Sequence, residues 1–228
     1  MGQKSVMSHG SSAAHGTRER LLEAAGEVFA EKGFRKATVR EIVRRAGASL
    51  NAVNYHFRDK EGLYQEVIAY AHRWYEEVED GRLEADEELP AEERLRAFVS
   101  AFMKRQLDHG RVGWRPRLIG NEIAEPTGAL DMVVERFIRP RFNLLVGIVR
   151  ELAGNDTPLD RAQLCAQSIV SQCVHFHRGR PIIIRLMPHL TYSRQDMDAL
   201  AEHITQFCLR AIRNLGCDDG CQPTGPEK

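Results

Sequence analysis

The chain has 228 residues and a formal net charge of zero, with 43% hydrophobic and 28% charged residues, the balance of an ordinary soluble globular protein with ample material for a core. No apolar run approaches the roughly 18 residues that a membrane-spanning helix needs. The opening MGQKSVMSHGSSAAHG has no apolar core of the kind a secretory signal carries, so a cytoplasmic location is expected.

Apolar residues recur with helical spacing throughout, without convincing strand alternation, so the predicted fold class is all-α. Residues 1–16, rich in Ser, Gly, Ala and His, read as a disordered arm. The first helix is predicted from Thr17 to Lys32, with Leu21, Leu22, Ala25, Val28 and Phe29 on one face and Gly33 as a left-handed cap. Thr38 caps the second helix, and Glu41 three residues later suggests a capping box. Gly47 ends it, Ser49 caps a third helix running to about His56, and Asp59 caps a fourth from Lys60 past Tyr75.

Charge is unevenly distributed. Residues 17–64 hold 10 basic and 7 acidic side chains, whereas residues 76–93 hold 10 acidic side chains and one Arg. A basic head beside an acidic stretch suits positioning on a polyanion. Beyond it, Pro90 restarts a helix, and WRPRLIGNEIAEP predicts a shorter one closed by Pro126. A helix over Ala129–Ala153 contains Pro140, where a kink or break is expected. Helices follow over about Leu159–His177 and Asp196–Leu215, with RGRPIIIRLMP between them as irregular chain or a short extra helix. Residues 216–228 read as a flexible tail.

A tight turn at AGAS between two short helices is the geometry of a helix-turn-helix. On a helical wheel the third helix turns Leu50, Val53 and Phe57 inward, and Asn51 and Tyr55 outward, flanked by Ala52, Asn54 and His56. A solvated face would normally carry Lys and Glu. Amides, a phenol and small apolar groups are suited instead to base edges and thymine methyls in a major groove. Ser49, Leu50, Asn51, Ala52, Asn54 and Tyr55 are therefore the candidate base readers. Charges flank this helix at Arg35, Lys36, Arg40, Arg44, Arg58 and Lys60, and the candidate phosphate contacts are Arg35, Lys36, Thr38, Arg40, His56 and Lys60. Lys60 and the first N–H groups of the fourth helix together would suit a phosphate.

Residues 17–64 resemble the DNA-binding domain of the TetR family, through LLEAAGEVFAEKGF, ATVREIVRRAGAS and YHFRDKEGLY in the family's order and spacing. Asn51 and Asn54 depart from the family's usual Gly and Tyr, so a phosphate-binding Tyr is missing from its usual place. NAVNYHF, LCAQSIVSQC and RGRPIIIRL are similar to the CecR-like subgroup. The resemblance implies a helix-turn-helix domain at 17–64 and a helical domain at 65–215 that dimerises and binds an effector. It further implies a ligand-responsive repressor that holds a palindromic operator in double-stranded DNA as a homodimer.

The residues of the second domain agree. Leu200, Ile204, Phe207, Cys208, Ala211 and Leu215 form a stripe, and the preceding helix carries Ile169 and Cys173 among apolar residues around much of its circumference. A four-helix dimer interface using Ile169, Cys173, Leu200, Ile204, Phe207 and Ala211 is expected. Candidates for a pocket taking a small organic effector are Phe102, Trp114, Arg117, Leu118, Glu122, Phe137, Phe142, Cys173, His175 and Phe176.

Other readings have less support. His175 and His177, two residues apart on a helix, point away from each other and make poor metal co-ligands with Glu122. No metal or cofactor site is predicted. Cys165, Cys173 and Cys208 suit reduced core thiols, and Cys217 and Cys221 carry at most a weak metal or disulfide signal. No nucleophile motif or phosphate loop supports an enzyme. A helical interaction module without DNA binding is the remaining alternative.

Overall fold

The computed structural model describes residues 9–77, 86–107 and 113–214, and every regular element among them is helical. These elements are α1 (His9–Lys36), α2 (Val39–Ala46), α3 (Leu50–Phe57), α4 (Lys60–Glu77), α5 (Ala91–Leu107), α6 (Arg115–Ala124), α7 (Ala129–Val133), a π-helical turn (Val134–Ile138), α8 (Arg139–Ala153), α9 (Leu159–Arg178), α10 (Arg180–Leu186) and α11 (Arg194–Arg213). Cys217 and Cys221, Leu215, the tail, and the arm up to residue 8 lie outside the described residues.

The start of α1 differs from expectation: helix begins at His9, within the stretch read as an arm. Extending a nucleated helix costs little, and Ala13 and Ala14 favour it. The chain breaks at Gly33 as expected, but φ 74° and ψ 166° put this glycine in the extended positive-φ region and not in the left-handed helical cap that was expected. Within RGRPIIIRLMP, the residues RPIIIRL form the short extra helix α10, and Gly179 separates it from α9. Pro140 interrupts the long helix expected over 129–153. Its ring and missing N–H disfavour an unbroken ladder, and the chain takes the π-helical turn just before it, with Pro140 in the first turn of α8.

The chain divides into two compact units, Met1–Val78 with Gly110–Phe137, and Glu79–His109 with Ile138–Lys228. The boundary expected at residue 64 falls inside α4. In the first unit, Leu21, Val28 and Phe29 of α1 share one core with Ile42, Val53, Phe57, Leu63, Val67 and Ile68, and also with Trp114, Leu118, Ala129 and Val133. Each large aliphatic or Phe so buried contributes about 1.5–3 kcal/mol. Periodicity shows that α6 has an apolar face, but not that this face belongs with α1 and α4.

The second unit packs α5, α8, α9 and α11 around Leu95, Phe98, Met103, Leu145, Ile148, Ile169, Cys173, Ile204 and Ile212. Among the described residues of this unit, the buried Arg94 is paired with Glu151 at 2.9 Å. Ser193 caps α11 and Asp196 completes the box. The expected interface stripe is split by this core. Ile169, Cys173 and Ile204 lie inside the protomer at 0–2% exposure, Leu200 is half-buried, and Phe207 at 59% and Ala211 face outward. The four α11 residues of that stripe span only about 60° of a helical wheel, so the edge of the buried arc passes through them.

Candidate nucleic-acid interface

The helix-turn-helix is fixed by its caps. The Thr38 hydroxyl accepts the Glu41 N–H at 3.3 Å, starting α2. The reciprocal half of the expected capping box is absent, because the Glu41 carboxylate pairs with Lys32 at 2.6 Å. Gly47, with φ 60°, ends α2, and the Ala48 N–H returns to the Val43 carbonyl at 2.9 Å. The Ser49 hydroxyl then accepts the Ala52 N–H at 3.3 Å and starts α3. Arg20 Nε ties the Ala46 carbonyl to α1 at 3.3 Å.

With its ends so held, α3 buries Val53 and Phe57 and exposes Ser49, Asn51, Asn54 and Tyr55, the last at 82%. Ala52 and His56 are half-buried at the edges of this face. Leu50, expected inward, is 47% exposed: it opens the helix beside Ser49, where the core has not yet closed over the chain. Tyr55 meets His56 edge-on at 4.9 Å between ring centroids.

The cations around the helix-turn-helix differ in their pairing. Arg18 pairs with Glu66, Lys32 with Glu41, and Arg45 with Glu27 and Glu31. Among the described residues, the exposed side chains of Arg35, Lys36, Arg40, Arg44 and Arg58 form no salt bridge. Sequence reasoning counted charges but had no means to sort paired from unpaired. Lys60 differs from both. Its ammonium reaches the Arg35 carbonyl at 3.4 Å and lies 4.6 Å from the Phe34 ring centre, and burial lowers its pKa. At the start of α4 the Asp59 carboxylate takes the Gly62 N–H at 2.8 Å, so one donor expected to face a phosphate is already used.

Between α3 and α4 the chain makes a γ-turn centred on Arg58, with φ 72° and ψ −56°, closed by the Asp59 N–H on the Phe57 carbonyl at 2.9 Å. A non-glycine residue held there costs on the order of 1–3 kcal/mol. Gly62 is required opposite, since a Cβ would come within 2.2 Å of the Phe57 carbonyl oxygen.

Two carboxylates bind α6 and the start of α7 to this head. Glu23 of α1 accepts Trp114 Nε1 at 2.8 Å and the Tyr70 hydroxyl at 2.9 Å, and pairs with Arg115. Burial raises the Glu23 pKa, but these donors outweigh it and leave the carboxyl below its usual range. Glu122, 2% exposed, accepts the Tyr64 hydroxyl at 2.7 Å and the Thr127 N–H at 2.9 Å. Burial and then Glu122 raise the Tyr64 pKa, and its ring meets Phe29 and Phe34 at 4.8 Å each. The residues read as a pocket are thus divided. Trp114, Leu118, Glu122 and Phe137 are buried in the first unit, with Arg117 exposed there. In the second unit, Phe102, Phe142 and Phe176 are half-buried beside the core, Cys173 is within it, and His175 is exposed. The indole N–H of Trp114 and the carboxylate of Glu122 are engaged in holding the head together.

Residues 21–67 match the family described as bacterial regulatory proteins, tetR family, and residues 91–212 match the C-terminal domain of the HTH-type transcriptional dual regulator CecR. The chain belongs to the TetR family. The TetR family relatives include the HTH-type transcriptional repressor BepR of Brucella suis biovar 1 (strain 1330), 26% identical over 183 residues, covering 74% of this chain and 85% of BepR. The HTH-type transcriptional regulator BetI of Escherichia coli (strain K12 / DH10B) is 35% identical over 82 residues, 36% of this chain and 42% of BetI, so that match spans less than half of either protein. Among solved structures, a transcriptional regulator from Pseudomonas aeruginosa PAO1 superposes with a TM-score of 0.62 at 23% identity, covering 86% of this chain and 92% of that one. A TetR family regulator from Mesorhizobium loti MAFF303099 gives 0.58 at 18%, covering 87% and 97%. These likenesses extend the fold over most of the chain. Membership makes the protein a DNA-binding transcriptional regulator. No helix among the described residues is long and apolar enough to cross a membrane.

Proposed function

We propose that this regulator represses transcription by holding a palindromic operator as a homodimer, with α3 of each copy in the major groove, and that a small organic effector releases it. What supports the reading is the uncharged outer face of α3, flanked by cations that form no salt bridge among the described residues, while Arg18, Lys32 and Arg45 are paired. Asn51 and Asn54 suit adenine edges, and Leu50 and Ala52 suit thymine methyls, with Ser49 and Tyr55 beside them. Arg35, Lys36, Thr38, Arg40 and His56 serve phosphates. Lys60 contributes its remaining ammonium donors, with less freedom than an unattached lysine.

The dimer places two copies of α3 about 34 Å apart on one face of the duplex. Its interface in this reading uses the outward arcs of α9 and α11: Leu164, at 69% exposure, with Ser168 and Ser171, and Phe207 with Leu200 and Ala211. The effector enters the second unit among Phe102, Phe142 and Phe176, whose half-burial beside a core suits an apolar guest. An effector that prefers a different spacing of the heads changes operator affinity by about 5–150-fold.

Footprinting on the DNA flanking the protein's own gene, followed by site selection, tests this. Asn51→Ala should lose discrimination at one or two base pairs, about 1–3 kcal/mol each. Identical selected sites for the wild type and the variant would remove α3 as the reader.

A further inference from the structure

Two residues other than glycine have positive φ among the described residues, Arg58 and Tyr192. Tyr192 has a reason inside its own unit. Its ring is 8% exposed beneath the Arg180 guanidinium, and its hydroxyl donates to the Phe176 carbonyl at 2.7 Å. Arg58 has none. Its side chain is exposed and forms no ion pair or hydrogen bond among the described residues, while Gly would fit the same backbone with less strain.

The turn itself is held from several sides. The Phe57 carbonyl is pressed against Gly62, Asp59 both closes the turn and caps α4, and Phe57 is buried. The direction in which the Arg58 side chain leaves the backbone is therefore fixed, immediately after the last residue of the recognition helix. A guanidinium in that place suits a phosphate oxygen of the strand beside the groove, since it stays charged and donates in a fixed fork.

We propose that Arg58 is a phosphate-contacting residue of the DNA interface, held in a strained γ-turn that lowers the stability of the free protein and sets the approach of its guanidinium. The proposal rests on the reading of α3 as the groove helix and adds a contact whose cost is visible in the unbound fold.

Three variants of the full chain separate charge from backbone: Arg58→Ala keeps the strain without the guanidinium, Arg58→Gly removes both, and Arg58→Lys keeps the charge. Binding to a fluorescent mixed-sequence duplex is measured against salt, alongside thermal melting. Arg58→Ala and Arg58→Gly should each make the log–log salt slope shallower by about 0.9, with Arg58→Lys near the wild type. Arg58→Gly should melt about 2–4 °C above Arg58→Ala. An unchanged slope in both uncharged variants overturns the contact, and equal melting of those two overturns the strain. If Lys36→Ala and Arg40→Ala flatten the slope while Arg58→Ala does not, only this proposal falls. If the wild type binds no duplex in a salt-dependent way, the DNA reading falls with it.

Discussion

Trp114 lies flat against the backbone of Gly26, so close that a Cβ at position 26 would come within 2.3 Å of the indole. A glycine in the middle of a helix costs about 1 kcal/mol relative to alanine, and here the missing side chain is the seat of a tryptophan. The same indole donates to Glu23, one turn earlier on α1, while Asn121 Nδ2 reaches the Ala30 carbonyl at 3.1 Å, one turn later. These three contacts run along one face of α1.

Gly26→Ala is accordingly expected to destabilise the first unit although alanine favours helix. Overpacking of this kind costs about 1–3 kcal/mol. Chemical denaturation checks the loss, and Trp emission should shift to the red as Trp114 leaves its seat. A variant that melts at or above the wild-type temperature would show that the indole does not occupy this place.

The Tyr64–Glu122 bond carries a second expectation. Tyr64→Phe removes the shortest hydrogen bond to a buried carboxylate and leaves its Oε2 with only the shared Thr127 hydroxyl, at about 1–3 kcal/mol. Glu122→Ala should cost more, because Tyr64 and Thr127 both lose their acceptor and a void remains. Equal urea midpoints for wild type and both variants would mean that the pair is incidental.

His72 on α4 stacks on Phe137 at 4.6 Å, and burial pushes its pKa down to about 4 from 6.5. Between these values the unfolded chain binds a proton that the folded unit refuses. Stability is therefore fully present above about pH 6.5 and declines as pH falls toward 4, by on the order of 3 kcal/mol. His72→Phe should flatten that part of the stability profile. A wild-type profile already flat from pH 7 to 4 would refute the assignment.

The two faces of α11 give a paired test. Phe207→Glu changes a residue exposed in the single chain, so the fold should survive while the proposed dimer dissociates and DNA binding weakens. Ile204→Glu puts a charge into the protomer's own core and should unfold the second unit. Sedimentation with circular dichroism separates the outcomes. A folded, dimeric Phe207→Glu protein would place the interface elsewhere.

Local chemistry was legible in the sequence. Thr38, Gly47 and Ser49 act on backbone atoms a few residues away, so their spacing marked the boundaries of α2 and α3. Pro140 likewise declared its interruption. Leu50 was misjudged inward because a wheel treats the first residue of a helix like one in its middle. Ile204 and Phe207 were assigned one role because pattern alone does not tell a protomer's core from its outer face. Trp114, Leu118 and Glu122 were assigned to a pocket on residue type alone. Their true neighbours on α1 and α4, such as Glu23, Tyr64 and Tyr70, lie 44 to 91 positions back in the chain, and the one local sign was a glycine inside an apolar helical run.

The first unit is discontinuous: its chain leaves after Val78 and returns only at Gly110. During synthesis α1 to α4 are therefore made long before the residues that complete their core, and translation at about 5–20 residues per second makes the interval a matter of seconds. A nascent chain that has not reached Trp114 has α3 but lacks Trp114, Leu118, Ala129 and Val133 from that core. The first unit, begun with the first residues made, is thus closed only once Val133 has been added, so chains cut short before that point lack a fully assembled helix-turn-helix unit.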